Sequence, residues 1–164
     1  MATLNADKDP MGQAISDYFH TGKAKKLRVL ASMFDEDEIP VSTLFRSLEE
    51  MNDIERKALD AVQGRILDVG AGSGCHSVAL KGMGKDSVAI DISALSVKVM
   101  KDRGLDAREI NFFDEAFDEK FDTVLMLMNG SGIIGRLENM SVFFKRMKNI
   151  LAPGGFILMD SSDL

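Results

Sequence analysis

A single cysteine, Cys75, in 164 residues leaves no partner for a disulfide within the chain and no set of thiolates for a metal. A reducing, cytoplasmic setting is the expectation, and no metal site is anticipated. No window approaches the ~18 apolar residues of a membrane span, and Met1 to Pro10 lacks the apolar core of a signal peptide. A basic excess is missing too: 20 Lys and Arg stand against 26 Asp and Glu, a net charge of −6. The one concentrated basic run, Lys23 to Arg28, is too short to grip a phosphate backbone along an extended surface, so nucleic acid is set aside as a partner. No internal repeat stands out. A chain 45% hydrophobic and 28% charged is that of one ordinary globular domain with a real core.

Against these absences one stretch stands out, Arg65 to Leu80. Ile66 to Val69 is a short apolar run broken by Asp68. Gly70, Gly72 and Gly74 then alternate with small residues, and Val78, Ala79 and Met83 follow at helical spacing. Strand, tight turn, helix is the reading. Glycine lets the backbone pass close to a bound molecule, and the N–H groups that open the helix point into the turn. The dinucleotide fingerprint asks for Gly-x-Gly-x-x-Gly; here Cys75 occupies the third glycine's place, and the string is Asp-x-Gly-x-Gly-x-Gly. Packing alone is the bland explanation of such a turn.

The remaining chain alternates helix and strand. A helix is expected from Pro10 to Thr21, with Met11, Ala14, Ile15, Tyr18 and Phe19 on one face, after a frayed polar segment over 1–9. A second short helix is expected over 24–33. Asp35 to Glu38 reads as an exposed acidic linker, with a cation site as the alternative. Ser47 and Glu50 form a capping box opening a helix that carries Leu48, Met51, Ile54, Leu59 and Val62. Further strands are expected at 87–90, ending on Asp91, at 107–110, at 121–128 and at 156–159, with helices over 93–103 and 137–151 between them. The last helix should face inward through Leu137, Met140, Phe144, Met147 and Leu151. The nearly all-apolar strand from Phe121 implies burial on both faces, as in a parallel sheet with helices on each side. Asp91 ends the second core strand, where a carboxylate can accept from both ribose hydroxyls, or simply cap a helix.

Together, Asp68 to Gly74, Asp91 and the Leu151-Ala152-Pro153-Gly154-Gly155 turn make residues 65–161 resemble the class I S-adenosylmethionine-dependent methyltransferases. That resemblance implies a doubly wound, mostly parallel α/β sheet of Rossmann-like type over 47–164, under an N-terminal helical cap over 1–46. It implies S-adenosyl-L-methionine as cofactor, held by Asp68, Gly70, Ala71, Gly72 and Gly74, by Asp91 and Ile92 at the ribose, and by Asn111 and Phe112 at the adenine, with Asp114 the competing choice. Met128 and Asn129, after the apolar strand, would reach the transferred methyl. Arg46 could pair with an anionic group. Should the acceptor need to lose a proton, His76 and His20 could act as base, with Asn129 the other candidate; each also has an ordinary structural explanation.

The acceptor is expected to be a small molecule or a protein side chain. Family members usually continue beyond the fifth strand, so the chain is expected either to be a piece of a longer protein or to pair its last strand with another copy. The rival readings are a methyltransferase-like module without turnover and an NAD-binding oxidoreductase domain.

Overall fold

The computed structural model describes residues 4–30 and 35–161. Its centre is a five-stranded parallel sheet: β3 (Ile66–Val69), β4 (Ser87–Asp91), β5 (Ala107–Glu109), β6 (Phe121–Met126) and β7 (Leu151–Met159), in the order β5-β4-β3-β6-β7. The chain builds outward from β3 in one direction, then crosses back to build the other half. That reversal puts a topological switch point at the carboxyl end of β3, the place where open α/β sheets bind ligands. The register aligns Val69 with Ile90 and Met126 with Met159, so the loops after all these strands open on one rim.

Alternation along the strands explains both layers. Leu67, Val69, Val88, Ile90, Val124 and Met126 pack on one face with Phe143, Met147 and Ile150 of α5 (Met140–Ile150). Ile66 and Leu125 point the other way, toward α2 (Asp53–Ala61) and α3 (Cys75–Gly82), through Leu59, Val62, Cys75 and Leu80. Apolar residues at both parities leave neither face to water. Thr123, fully buried, exchanges two hydrogen bonds with the backbone of Gln63 and so pins the entry to β3.

The N-terminal elements lie over α4 (Ala94–Asp102). On α1 (Pro10–Thr21), Ala14 and Ile15 pack with Val41, Leu44 and Val99. Met11 and Phe19, expected on the buried face, are partly exposed. Of the segment over 1–9 expected to fray, residues 1–3 lie outside the described residues and the rest is held at its two ends: Leu4 N–H donates to the Ile92 carbonyl. Asp9 caps α1 by accepting from Gly12 N–H and takes a second bond from the Ser93 hydroxyl.

Three further expectations are corrected. The helix expected over 24–33 is instead strand β1 (Leu27–Val29), paired antiparallel with β2 (Asp37–Ile39); residues 31–34 lie outside the described residues. The acidic run is exposed, as expected, but it is not a linker: it runs into β2, and Glu36 pairs with Arg28 and Glu38 with Lys26. Alternate residues of the two short strands share a face, which brings opposite charges together. Between 48 and 62 the chain forms two pieces, a 3₁₀ turn at Leu48–Glu50 and then α2, each opened by its own capping box, Ser47 with Glu50 and Asn52 with Glu55. The split leaves Ile54 exposed.

In α5 the buried face runs through Phe143, Arg146, Met147 and Ile150, while Leu137 and Phe144 face water. Periodicity alone picked the neighbouring stripe because it discounted a buried arginine. The Arg146 guanidinium donates to the carbonyls of Phe112 and Phe117, tying α5 to the loop after β5. Arg146→Leu should therefore strand two buried carbonyls and cost about 3 kcal/mol, seen as a lower urea midpoint; an unchanged midpoint would show that the bridge is dispensable.

Candidate functional site

Three cavities follow one another along the carboxyl rim of the sheet. The first, about 230 Å³, lies between Val69, Gly70, Ile90, Asp91 and Ile92 on one side and Ile110, Asn111, Phe112, Phe113 and Ile133 on the other. The second, about 170 Å³, is lined by Met11, Ile39, Leu44, Asp68, Gly70 to Ser73, Cys75, His76, Leu127 and Met128. The third is an open cleft of about 700 Å³ bounded by Ile39, Thr43, Arg46, Glu50, Asn52, Ile54, Glu55, Met128, Asn129, Asp160 and Ser161. Gly70 lines the first and second; Met128 and Ile39 line the second and third. The cavities thus form a continuous series with the glycine turn between the first two.

The turn is shaped from within. Gly70 and Gly72 hold φ of +68° and +57°, which side-chain-bearing residues rarely adopt. A Cβ on Gly70 would stand 2.9 Å from the Ile133 δ-methyl, in the waist between two cavities; one on Gly72 would meet only Ile15, at 3.8 Å. Gly74 does not line the cavities; its missing side chain makes room for Leu105 and Met100 where α3 packs. The N–H groups of Gly70 and Ala71 both donate to the Ile90 carbonyl, that of Gly72 to Asp91 Oδ2, and that of Gly74 to the Ala71 carbonyl. Unlike a phosphate cradle, this bend satisfies those donors internally.

Each of the first two cavities holds a carboxylate. Asp91 accepts from Gly72 N–H and Ser93 N–H, both at 2.9 Å. Two donors leave a carboxylate with lone pairs for two more. Burial pushes the Asp91 carboxyl above its ordinary pKa; bonds from the Ser93 and Gly72 N–H groups oppose that, and the charge of Asp9 adds to it. Asp68, buried in β3, accepts from the Ser77 hydroxyl at 2.6 Å. Burial raises its pKa as well, against the opposing influences of His76 and Ser77.

Asn111 turns its side-chain oxygen onto Phe113 N–H at 2.9 Å, shaping the loop that walls the first cavity. Phe112 is buried against Phe113 and Phe143, whereas Ile92 is partly exposed. Beyond β6 the backbone makes a strained turn: Met128 and Asn129 both have φ of +60°, in the left-handed region that non-glycine residues seldom occupy. Asp160, following β7, holds that turn by accepting from the N–H groups of Met128, Asn129 and Gly130.

Arg46 does not await an anion; it pairs with Glu55 inside the protein. The same carboxylate accepts from His76 Nε2 at 2.8 Å and from Asn52 N–H. Burial works to raise the Glu55 pKa, but hydrogen bonds from Arg46, His76 and Asn52 outweigh it and hold the carboxyl at about 2. Since an ionised carboxylate only accepts, the His76 nitrogen facing it carries the proton and is not a free base. His20, the other candidate, is exposed on α1 with Nδ1 2.8 Å from the Ser16 carbonyl, and it is not among the residues lining the three cavities. Burial pushes the Cys75 thiol up to about 11, which keeps it protonated and unreactive.

Sequence reasoning missed Ile133, Asp160 and the role of Glu55. Ile133 and Asp160 approach the rim through tertiary contacts with no local signal. Asp9 was missed as well, although an aspartate directly before Pro10 is a local N-cap signature.

A parallel sheet with this strand order, a glycine bend after its first strand and a carboxylate after its second define a nucleoside-binding α/β class. Residues 67–159 match the methyltransferase domain family, and the chain belongs to it. It is 63% identical to a SAM-dependent methyltransferase from Bacteroides fragilis whose crystal structure was solved in complex with S-adenosyl-L-homocysteine; the match covers 99% of this chain and 68% of that one, with a TM-score of 0.95. It is 33% identical over 102 residues to the cypemycin N-terminal methyltransferase of a Streptomyces species, covering 60% of this chain and 42% of the relative. Against the ubiquinone biosynthesis O-methyltransferase of Xanthomonas oryzae it is 23% identical over 157 residues, covering 91% of this chain and 64% of the relative. The chain thus spans less than two thirds of the length of either of these curated relatives.

The Glu55 cluster has a pH signature. With its folded pKa at about 2, against about 4.3 in an unfolded chain, Glu55 contributes stability that is fully present above the unfolded value and lost as pH falls toward the folded one. Glu55→Gln should cost about 3 kcal/mol near pH 7 by breaking a buried ion pair, with the gap to the wild type narrowing between about pH 4.5 and 2 in denaturant titrations. A gap independent of pH would contradict the assignment.

Proposed function

We propose that the protein is an S-adenosyl-L-methionine-dependent methyltransferase acting on an acceptor of small-molecule type. The observation that carries this reading is the continuity of the three cavities through Gly70 and Met128, with a half-buried carboxylate, Asp91, beside the first and a buried one, Asp68, beside the second. The residues fit the cofactor. Asp91 has acceptor capacity left for ribose hydroxyls, and the slot between Ile92 and Phe113 is apolar and suited to a purine. Asp68 places negative charge near the second cavity, which favours a sulfonium with its ammonium group and disfavours a diphosphate. The internally bonded N–H groups of the glycine turn point the same way.

When bound, the cofactor supplies a methyl group already activated on a positively charged sulfur. The chain's own residues position and shield: Gly70 and Ile133 set the width of the passage, Asp91 orients the sugar, and Met128 stands between donor space and acceptor cleft. Holding donor and acceptor in line and excluding water supplies most of the rate such a transfer needs. Residues 1–46 act in this reading as the cap, since Met11, Ile39 and Leu44 wall the second cavity. The relative named for ubiquinone biosynthesis supports an acceptor of small-molecule type.

Among the described residues no helix is long and apolar enough to cross a membrane. With one buried cysteine, this supports a cytoplasmic site of action. β7 forms one edge of the sheet, the surface through which a second copy would pair.

Calorimetry is expected to show binding of S-adenosylhomocysteine and none of NAD, and Asp91→Ala should weaken binding by about 1.5–3 kcal/mol. Because burial raises the Asp91 carboxyl, affinity should start to fall at a higher pH than an ordinary aspartate would give as the solution is acidified. Undiminished binding in the Asp91 variant would remove it from the ribose site.

A further inference from the structure

We propose that the open cleft beyond Met128 receives a positively charged amine carried on an apolar body, and that the protein methylates it on nitrogen. The inference rests on the methyltransferase reading, because the cleft is identified as the acceptor site by its continuity with the second cavity through Met128 and Ile39. Its lining chemistry then sets the acceptor class. Three carboxylates, Glu50, Glu55 and Asp160, face one guanidinium, Arg46. The Arg46 charge is committed: its side chain is 9% exposed and paired with Glu55, which is 4% exposed.

Glu50 and Asp160 thus leave the cleft with surplus negative charge. Glu50 uses one oxygen on Ser47 N–H, leaving the other able to accept. Asp160 accepts three backbone N–H groups from the turn containing Met128 and Asn129, and a carboxylate offers about four acceptor positions. Ile39, Ile54 and Met128 supply the apolar wall, and Ile54 and Met128 are 63% and 41% exposed. An anionic acceptor would meet like charge with no uncommitted cation among the described residues that line the cleft. An ammonium meets two carboxylates and an apolar surface.

The chemistry balances. An ammonium group entering the cleft passes its proton to a carboxylate or to water and becomes the neutral amine. The nitrogen lone pair forms the new N–C bond as the C–S bond breaks, and the electrons of that bond remain on sulfur as the thioether of S-adenosylhomocysteine. The product carries the positive charge on nitrogen, in the same negative surroundings.

The test uses the whole chain saturated with S-adenosylhomocysteine and two size-matched probes, 2-phenylethylammonium and phenylacetate, followed by amide NMR titration. Saturation is checked first: failure to take up S-adenosylhomocysteine overturns the methyltransferase reading and this inference with it. Given uptake, the ammonium probe should shift amides of Ile39, Ile54 and Asn129 and bind roughly ten-fold tighter than the carboxylate probe. Glu50→Gln, which keeps an acceptor for Ser47 N–H, should erode that preference while S-adenosylhomocysteine uptake persists. Equal or tighter binding of phenylacetate, no binding of the ammonium probe, or a preference unchanged in the Glu50 variant overturns the inference alone.

Discussion

The hydrogen bond from Gly72 N–H to the Asp91 carboxylate is the constraint on which the site depends. It joins the bend after β3 to the end of β4, across the two strands whose carboxyl ends open the switch point of the sheet. The brace is a carboxylate that also lines the first cavity, so the turn's shape and the cavity wall are one feature. The same aspartate accepts Ser93 N–H, and the Ser93 hydroxyl donates to Asp9, so the N-terminal helix registers against the first cavity through a single chain of bonds. Motion of that helix would be felt at Asp91 through two side chains.

Charge is divided between two roles. Asp68 and Asp91 sit in burial that raises their pKa values, a cost that a positively charged or hydroxyl-bearing ligand relieves. Glu55 is handled in the opposite way, surrounded by Arg46, His76 and a backbone N–H until it stays ionised. One set of carboxylates is left with capacity toward the cavities; the other is satisfied internally and fixes the wall between them.

The sheet was legible because its signals are local. An apolar strand such as Phe121 to Met126 admits little but burial on two faces, and the Asp68 to Gly74 string marks its own turn. What escaped depends on partners distant in sequence. Arg146 reads as a surface residue until the carbonyls of Phe112 and Phe117 come to meet it. Lys26 and Arg28 looked helical because their acidic partners at Glu38 and Glu36 lie across a hairpin. Within the site, Asp68, Gly70 and Asp91 were visible as a pattern, whereas Ile133 and Asp160 arrive on loops from the other half of the sheet and carry no pattern of their own. Gly74 illustrates the converse: it belongs to the motif by spacing, yet its lost side chain serves the packing of Met100 and Leu105.

In the proposed function an adenosyl sulfonium rests against the bend between the first two cavities. The most direct check is an amide NMR titration of the free protein with S-adenosylhomocysteine. Resonances of Gly70, Gly72, Asp91, Ile92 and Asn111 should move together along one binding curve. Perturbations confined to other parts of the molecule, or the same five amides responding to NAD and not to S-adenosylhomocysteine, would contradict it.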